Sequence, residues 1–99
     1  MYAIYATDTF KKLYISLDKT EQDWITKTQA KLKTYPTGKP LHFSWFREKK
    51  YLNKRLYYLI DEEQNKILFI SFAAKKDQQK IINFILANKD ELLSYLRSL

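Results

Sequence analysis

The fold of this chain is decided by residues 46–76, FREKKYLNKRLYYLIDEEQNKILFISFAAKK. Two dense apolar runs within it, Arg55–Ile60 and Ile67–Phe72, predict strands that are covered on both faces. The polar segment Asp61–Asn65 between them predicts a tight hairpin, because asparagine tolerates a left-handed backbone. Strands joined by such short turns pair antiparallel.

Upstream of this stretch the sequence predicts a first strand and two helices. Tyr2–Ala6 is short, aromatic and β-branched, which is typical of a strand. Thr7 or Asp8 can cap a helix that follows. Asp18 starts the next helix, and a glutamate three residues later completes a capping-box pattern. The two helices are expected to form a hairpin that lies across the sheet.

A second strand is predicted from about Leu41 to Lys49, just before the central stretch. After the last strand the apolar period becomes helical, with a break expected at Asn88–Asp90. The predicted order is β-α-α-β-β-β-α. This order corresponds to an α+β fold in which a helical hairpin packs on a four-stranded, mainly antiparallel sheet. We expect one domain over residues 1–99, with a C-terminal helical segment over residues 74–99.

Composition restricts the possible partners more than it identifies one. The chain has 18 Lys and Arg against 11 Asp and Glu, a formal net charge of +7. This surplus favours nucleic acid, an acidic protein or an anionic membrane surface. The absence of cysteine excludes disulfides and thiolate metal sites, and the single histidine, His42, argues against zinc. No signal peptide or membrane span is evident, so a cytoplasmic protein without a membrane partner is expected.

Cationic side chains gather at the beginning, the first turn and the end of the central stretch: Arg47, Lys49, Lys50, Lys54, Arg55, Lys75 and Lys76. Antiparallel pairing is expected to bring Arg55 close to Lys75 or Lys76 at one end of the sheet, with Arg47 on the adjoining strand. Such a group suits a phosphate backbone, or the charge that develops on phosphorus during ribose-assisted RNA cleavage. The alternative is that these residues are cationic only because strand ends and turns are solvated.

Other candidate side chains carry weaker signals. Tyr51, in a predicted turn, is the best candidate for stacking on a nucleobase, whereas Trp45, Tyr57 and Tyr58 are expected in the core. His42 is a natural general base at neutral pH, but no carboxylate or nucleophile partner is evident for it. We therefore expect it at the surface or at a strand edge. The common catalytic and phosphate-loop motifs are absent.

The order and spacing of several short motifs resemble the RelE/ParE superfamily of toxins, over roughly residues 2–88. Gly38–Leu41 (GKPL) leads into the second strand, and Lys54–Asp61 (KRLYYLID) is similar to the family's arginine-containing strand. Lys75–Ile82 (KKDQQKII) resembles the corresponding segment of the HigB-like and archaeal RelE-like branches.

This resemblance implies a microbial toxin that is neutralised by an antitoxin protein in a hetero-oligomer. RelE-like and HigB-like members cleave messenger RNA on the ribosome without a metal or other cofactor, using basic residues and the RNA's own 2′-hydroxyl. The leading prediction is therefore a ribosome-dependent mRNA endonuclease that inhibits translation. The alternatives are a ParE-like inhibitor of DNA gyrase, or a divergent homologue that only binds antitoxin or nucleic acid.

Carried over residue by residue, the resemblance implies three catalytic positions, for which the sequence offers four candidate cations. Arg55 matches the strand arginine, Arg47 matches a basic position on the preceding strand, and Lys75 or Lys76 matches the one after the last strand. Further RNA-binding residues are predicted at Lys49, Lys50, Tyr51 and Lys54.

The sequence also departs from the RelE pattern. In an ungapped match, the two strand lysines of that pattern fall on Phe46 and Glu48, and its C-terminal tyrosine falls near Ile81 or Ile82. Either the chemistry uses a different set of residues, such as Lys49 to Tyr51, or the chain is an inactive or divergent relative.

Overall fold

The computed structural model describes residues 1–36 and 38–99. Its strands are β1 (Ala3–Ala6), β2 (Lys39–Leu41), β3 (Phe43–Tyr51), β4 (Lys54–Asp61) and β5 (Lys66–Ala74). They form one sheet in the order β1-β5-β4-β3-β2. β1 runs parallel to β5, and all other neighbours are antiparallel. The two predicted central strands, β4 and β5, therefore lie in the interior of the sheet.

The helices are α1 (Asp8–Ser16), α2 (Lys19–Thr34), α3 (Gln78–Ala87) and α4 (Lys89–Ser98), with a 3₁₀ turn over Lys75–Asp77. The hairpin of α1 and α2 packs on one face of the sheet, and α3 and α4 pack on the other. The predicted α+β class is confirmed, and so is the break in the last helix, at Asn88. No helix in residues 1–36 and 38–99 is long and apolar enough to cross a membrane.

The sheet has one strand more than predicted. The expected strand over residues 41–49 is interrupted at His42, whose φ of 67° is left-handed. Leu41 lies opposite Phe43, so the exposed His42 occupies a tight reversal between β2 and β3 rather than the start of a strand. The additional strand was not predicted because β2 is only three residues long.

Two apolar clusters fill the space on either side of the sheet, and β4 contributes to both. The cluster beneath α1 and α2, here called the hairpin face, includes Leu56, Tyr58 and Ile60 of β4. The cluster beneath α3 and α4, here called the C-terminal face, includes Tyr57 and Leu59. Successive side chains of a strand point to opposite faces, which explains this division. The same alternation decides on which face of the sheet each cationic side chain of β3 and β4 lies.

The predicted capping box of α2 is present. The Asp18 carboxylate accepts a hydrogen bond from the Glu21 N–H at 2.8 Å, and Glu21 Oε1 accepts one from the Asp18 N–H at 3.4 Å. Asp18→Ala removes the first bond and is expected to lower the free energy of unfolding by about 1 kcal/mol. Urea unfolding measures this loss, with Asp18→Asn, which keeps a capping oxygen, as the control. Equal stabilities of the alanine and asparagine variants would contradict it.

Tyr58 is expected to make the folded state sensitive to alkali. Burial raises the pKa of its phenol to about 12, although the charge of Arg47 acts in the opposite direction. In the unfolded chain the phenol ionises near pH 10, so between about pH 10 and 12 only the unfolded state loses this proton and stability falls. Thermal unfolding should show a smaller loss of stability over that range in Tyr58→Phe than in the wild type. An equal loss in both would refute this assignment.

Candidate active site

The predicted cations meet, in part, where β3 ends and β4 begins. Arg55 lies opposite Lys50 of β3 and opposite Ala73 of β5. The Lys75 N–H donates to the Asn53 carbonyl at 3.0 Å, which places the segment after β5 beside the start of β4. The expected approach of that segment to Arg55 is therefore present in the backbone. Lys50, Lys75 and Lys76 are all exposed around this point, and their role stays a prediction.

Arg55 is fixed in place while part of its guanidinium stays available. Its side chain is only 9% exposed, and its Nη1 donates to the carbonyls of Leu52 at 3.4 Å and Lys54 at 3.0 Å. Nη2 has no hydrogen-bond partner in the described part of the chain. Nη2 is not among the fully buried side-chain atoms that lack a partner, so part of its surface is accessible to solvent. A guanidinium held in this way can offer N–H groups to an anion without losing much side-chain freedom.

Glu48 lies on the C-terminal face beside Arg55, and sequence analysis gave it no role. It lies opposite Tyr57 of β4. This pair is two residues along each strand from the Lys50–Arg55 pair, on the same face of the sheet. Its Oε2 is 3.9 Å from Arg55 Nε and accepts a hydrogen bond from Gln78 Nε2, at the start of α3, at 2.8 Å. The available signal was the alternation along β3, which places residues 46, 48 and 50 on one face.

Tyr57 completes this polar cluster on the C-terminal face. The side chain is fully buried, and its Oη is the one fully buried polar side-chain atom without a partner among the residues described. Burial first, and the charge of Glu48 second, raise the pKa of the Tyr57 phenol above its usual value of 10.0. A hydrogen-bonding interaction with the Gln78 side chain acts in the opposite direction on this pKa. The phenol keeps its proton at neutral pH.

Arg47 lies outside this cluster, which corrects the prediction that it joins Arg55. It pairs with Tyr58, so its side chain belongs to the hairpin face, whereas Arg55 belongs to the C-terminal face. Its guanidinium donates to the carbonyls of Pro36 at 2.8 Å and Ser44 at 2.9 Å, and to Glu62 Oε1 at 2.7 Å. These contacts use all three nitrogens of the guanidinium and connect β3 to two loops, so the structure does not bring Arg47 to Arg55.

Three of the predicted RNA-binding residues also face the hairpin. Lys54 forms an ion pair with Glu21 and lies 5.4 Å above the Phe72 ring. Tyr51 is the last residue of β3 and not part of a turn, and its ring centroid is 4.9 Å from that of Trp24. Lys49 is half-buried at an alternate position on the same face. Tyr51 and Lys54 thus hold α2 on the sheet. Of the predicted RNA-binding residues, only Lys50 lies on the C-terminal face with Arg55.

The acidic turn and the histidine form no second site. The Asp61 carboxylate accepts hydrogen bonds from the N–H groups of Glu63 at 3.1 Å and Gln64 at 3.3 Å, so it organises the turn. Within residues 1–36 and 38–99, no group of three or more His, Asp or Glu side chains is arranged to hold a metal ion.

Comparison with solved structures shows which fold this is. The isolated E. coli RelE toxin superposes with a TM-score of 0.66 at 15% identity, covering 85% of this chain and 99% of that one. The chain has the RelE fold. A chain of the intact E. coli RelBE toxin–antitoxin complex gives a TM-score of 0.66 at 18% identity, covering 75% of this chain and 96% of that one. The M. tuberculosis RelBE2 complex gives 0.62 at 19% identity, covering 75% and 98%.

The RelE fold confirms the architecture that the sequence motifs indicated. No protein-family model and no curated protein matches the sequence. Identities this low establish the shared fold and leave the chemistry to be argued from this chain's own residues. At the two positions where the RelE pattern has lysines, Phe46 is fully buried in the C-terminal face and Glu48 is the carboxylate beside Arg55. The site of this chain therefore differs in charge from that pattern.

Proposed function

We propose that this chain is the toxin of a toxin–antitoxin system and cleaves messenger RNA on the ribosome, in the cytoplasm. The observation that carries the proposal is Arg55, whose Nη1 is held by two carbonyls while Nη2 is unpaired. The exposed Lys50 lies opposite it in β3, and the exposed Lys75 and Lys76 follow β5 at the same end of the sheet. Further support comes from the RelE fold, which solved RelE toxins share. In this proposal an antitoxin protein binds the chain in a hetero-oligomer and blocks the site.

Arg55 would act on the phosphate that is cleaved. Its N–H groups are fixed before the reaction, so they stabilise the negative charge that develops on the phosphoryl oxygens without reorganising. The attacking group is the 2′-hydroxyl of the neighbouring ribose, which already lies beside the phosphate in RNA. The proposal needs no step at a metal or cofactor.

The exposed lysines would bind the RNA on either side of that phosphate. Lys50 precedes the turn between β3 and β4, and Lys75 and Lys76 follow β5 at the same end of the sheet. Each phosphate contact releases counterions, so binding weakens as salt rises. Lys75 or Lys76 also supplies the proton that the departing 5′-oxygen requires.

A ParE-like inhibitor of DNA gyrase is the second candidate function. The observation that favours it is the loss of both strand lysines of the RelE pattern, because a buried phenylalanine and a glutamate cannot bind phosphate as lysine does. Both candidates require the same fold and an antitoxin partner. They differ in which nucleic acid is damaged.

Induced expression in bacterial cells with RNA-end and DNA-break mapping separates the two candidates. The nuclease proposal predicts growth arrest with new RNA ends inside the coding regions of translated messages and intact DNA. Broken DNA with intact messages would instead establish the gyrase inhibitor. Normal growth at high levels of folded protein would overturn both.

A further inference from the structure

We propose that the side chain of Leu52 inserts between two stacked bases of the messenger RNA and separates the nucleotides on either side of the phosphate that is cleaved. This inference rests on the RNA cleavage proposed above. It adds a residue that contacts bases to a site so far described only by its contacts with phosphate.

The backbone of Leu52 is the first argument. Leu52 and Asn53 form the two-residue loop between β3 and β4, and Leu52 has a φ of 54°. Glycine, asparagine and aspartate dominate the first position of such loops. A left-handed backbone brings the Cβ of other residues too close to the following carbonyl oxygen, whereas asparagine and aspartate offset this crowding with local hydrogen bonds. A leucine at this position is therefore strained.

The exposure of Leu52 is the second argument. The residue is 73% exposed, so its side chain gains little from packing against the rest of the chain. A single exposed apolar residue is ordinary on a protein surface. A leucine that is both exposed and strained is not, because neither packing nor local conformation stabilises it in the free protein. Strain of this kind collects at functional sites, where the side chain serves binding instead of folding.

The surroundings of the loop identify the partner as RNA. Arg55 Nη1 donates to the Leu52 carbonyl at 3.4 Å, so the loop keeps a fixed position relative to the arginine that holds the phosphate. The Asn53 carbonyl accepts from the Lys75 N–H at 3.0 Å, which brings the exposed Lys75 to the same loop. The exposed Lys50 lies opposite Arg55. An apolar side chain among cations matches a strand with an anionic backbone and stacked bases.

Separating the bases helps the cleavage step. In a stacked RNA strand the 2′-oxygen lies beside the phosphorus but not in line with the bond to the 5′-oxygen that breaks. Opening the stack lets the sugar and the phosphate rotate into line, and alignment of the reacting atoms lowers the barrier. Apolar side chains that insert between bases open stacks in other nucleic-acid complexes. Leu52 is thus a positioning residue for the reaction.

Leu52→Asn separates this role from a structural one. Asparagine tolerates the left-handed backbone, so the midpoint of thermal unfolding should rise by about 4–8 °C. The variant lacks the apolar side chain, so single-turnover cleavage of ribosome-bound mRNA should be about 10–100-fold slower. A residue that only supports the fold would change stability and activity in the same direction. A lower unfolding temperature in Leu52→Asn would overturn the claim that the leucine is strained.

Two further variants serve as controls. Leu52→Met keeps a long apolar side chain and should cleave close to the wild-type rate. Ile15→Asn is the matched control, because Ile15 is 77% exposed on α1, which packs on the hairpin face. It loses an equally exposed apolar side chain far from Arg55, so its cleavage rate should not change.

A substrate that cannot be cleaved reports the unstacking itself. This mRNA carries a 2′-deoxyribose at the mapped cleavage position and 2-aminopurine as the next base, whose fluorescence rises when it is unstacked. The wild type and Leu52→Met should raise the fluorescence on ribosome-bound mRNA, and Leu52→Asn should not.

Several results would overturn the insertion while the nuclease proposal stands. One is cleavage by Leu52→Asn at the wild-type rate. Another is a slow Leu52→Asn protein that raises the fluorescence as the wild type does, and a third is a Leu52→Met protein as slow as Leu52→Asn. A wild-type protein that cleaves no ribosome-bound mRNA would overturn the proposed function itself, and the insertion with it.

Discussion

Arg55→Ala is expected to lower the rate of mRNA cleavage by about 10²–10³-fold, the typical effect of removing one pre-organised donor to a developing negative charge. The loss should lie in the cleavage step more than in RNA binding, because Lys50, Lys75 and Lys76 still contact the backbone. Growth arrest on induction should disappear with it. Single-turnover cleavage of ribosome-bound mRNA measures the rate, and growth of induced cells measures the consequence.

Arg97→Ala is the matched control for this prediction. Arg97 also faces a carboxylate, with Nε 3.6 Å from Asp61 Oδ2, but its side chain is 59% exposed on α4. The guanidinium end of this pair is largely solvated, although the Asp61 side chain is only 9% exposed, and the pair lies away from Arg55. Cleavage by folded Arg97→Ala should therefore change little. A folded Arg55→Ala protein that still cleaves mRNA at the wild-type rate would remove Arg55 from the site.

Gly38→Ala is expected to destabilise the fold by about 2–4 kcal/mol, from backbone strain and overpacking together. Gly38 has a φ of 137°, which L-residues rarely adopt. A Cβ there would lie 2.0 Å from Tyr58 Oη and 3.2 Å from the Glu48 carbonyl oxygen. The loop therefore approaches β3 and β4 more closely than any side chain allows. Urea unfolding of the purified protein measures the loss.

A double-mutant cycle tests the reason for this loss. Tyr58→Phe removes the hydroxyl that lies nearest to the added Cβ, so Gly38→Ala should cost less in that background than in the wild type. The remaining cost then reports the positive φ together with the contacts that phenylalanine leaves in place, to the ring carbon Cζ at 3.0 Å and to the Glu48 carbonyl oxygen at 3.2 Å. Gly38→Ala within about 0.5 kcal/mol of the wild type, the range of ordinary surface substitutions, would contradict the close approach.

Local features of the fold were predictable because contiguous residues encode them. Asp18 and Glu21 form their capping box three residues apart, and Asn65 adopts the left-handed conformation expected for the hairpin, with φ 54°. The dense apolar runs of β4 and β5 correctly indicated strands covered on both faces. The fifth strand was missed because nothing in the sequence marks the reversal at His42.

The composition of the site was less predictable because it depends on register between strands. Arg47 and Arg55 are cations of neighbouring strands, yet Arg47 lies opposite Tyr58 and Arg55 opposite Lys50, which places them on different faces. Glu48 was noted only as a departure from the RelE pattern, and Gln78, which donates a hydrogen bond to it, lies thirty residues away. The predicted set therefore gathers cations toward one end of the sheet but includes side chains from both of its faces.

The most direct measurement is cleavage by the purified chain of an mRNA bound to ribosomes, with a single 2′-deoxy nucleotide at the mapped cleavage position in a second substrate. The nuclease account predicts products ending in a 2′,3′-cyclic phosphate and a 5′-hydroxyl from the all-ribose substrate, and no cleavage at the deoxy position. Intact RNA in both cases, or equal cleavage of the deoxy substrate, would contradict it.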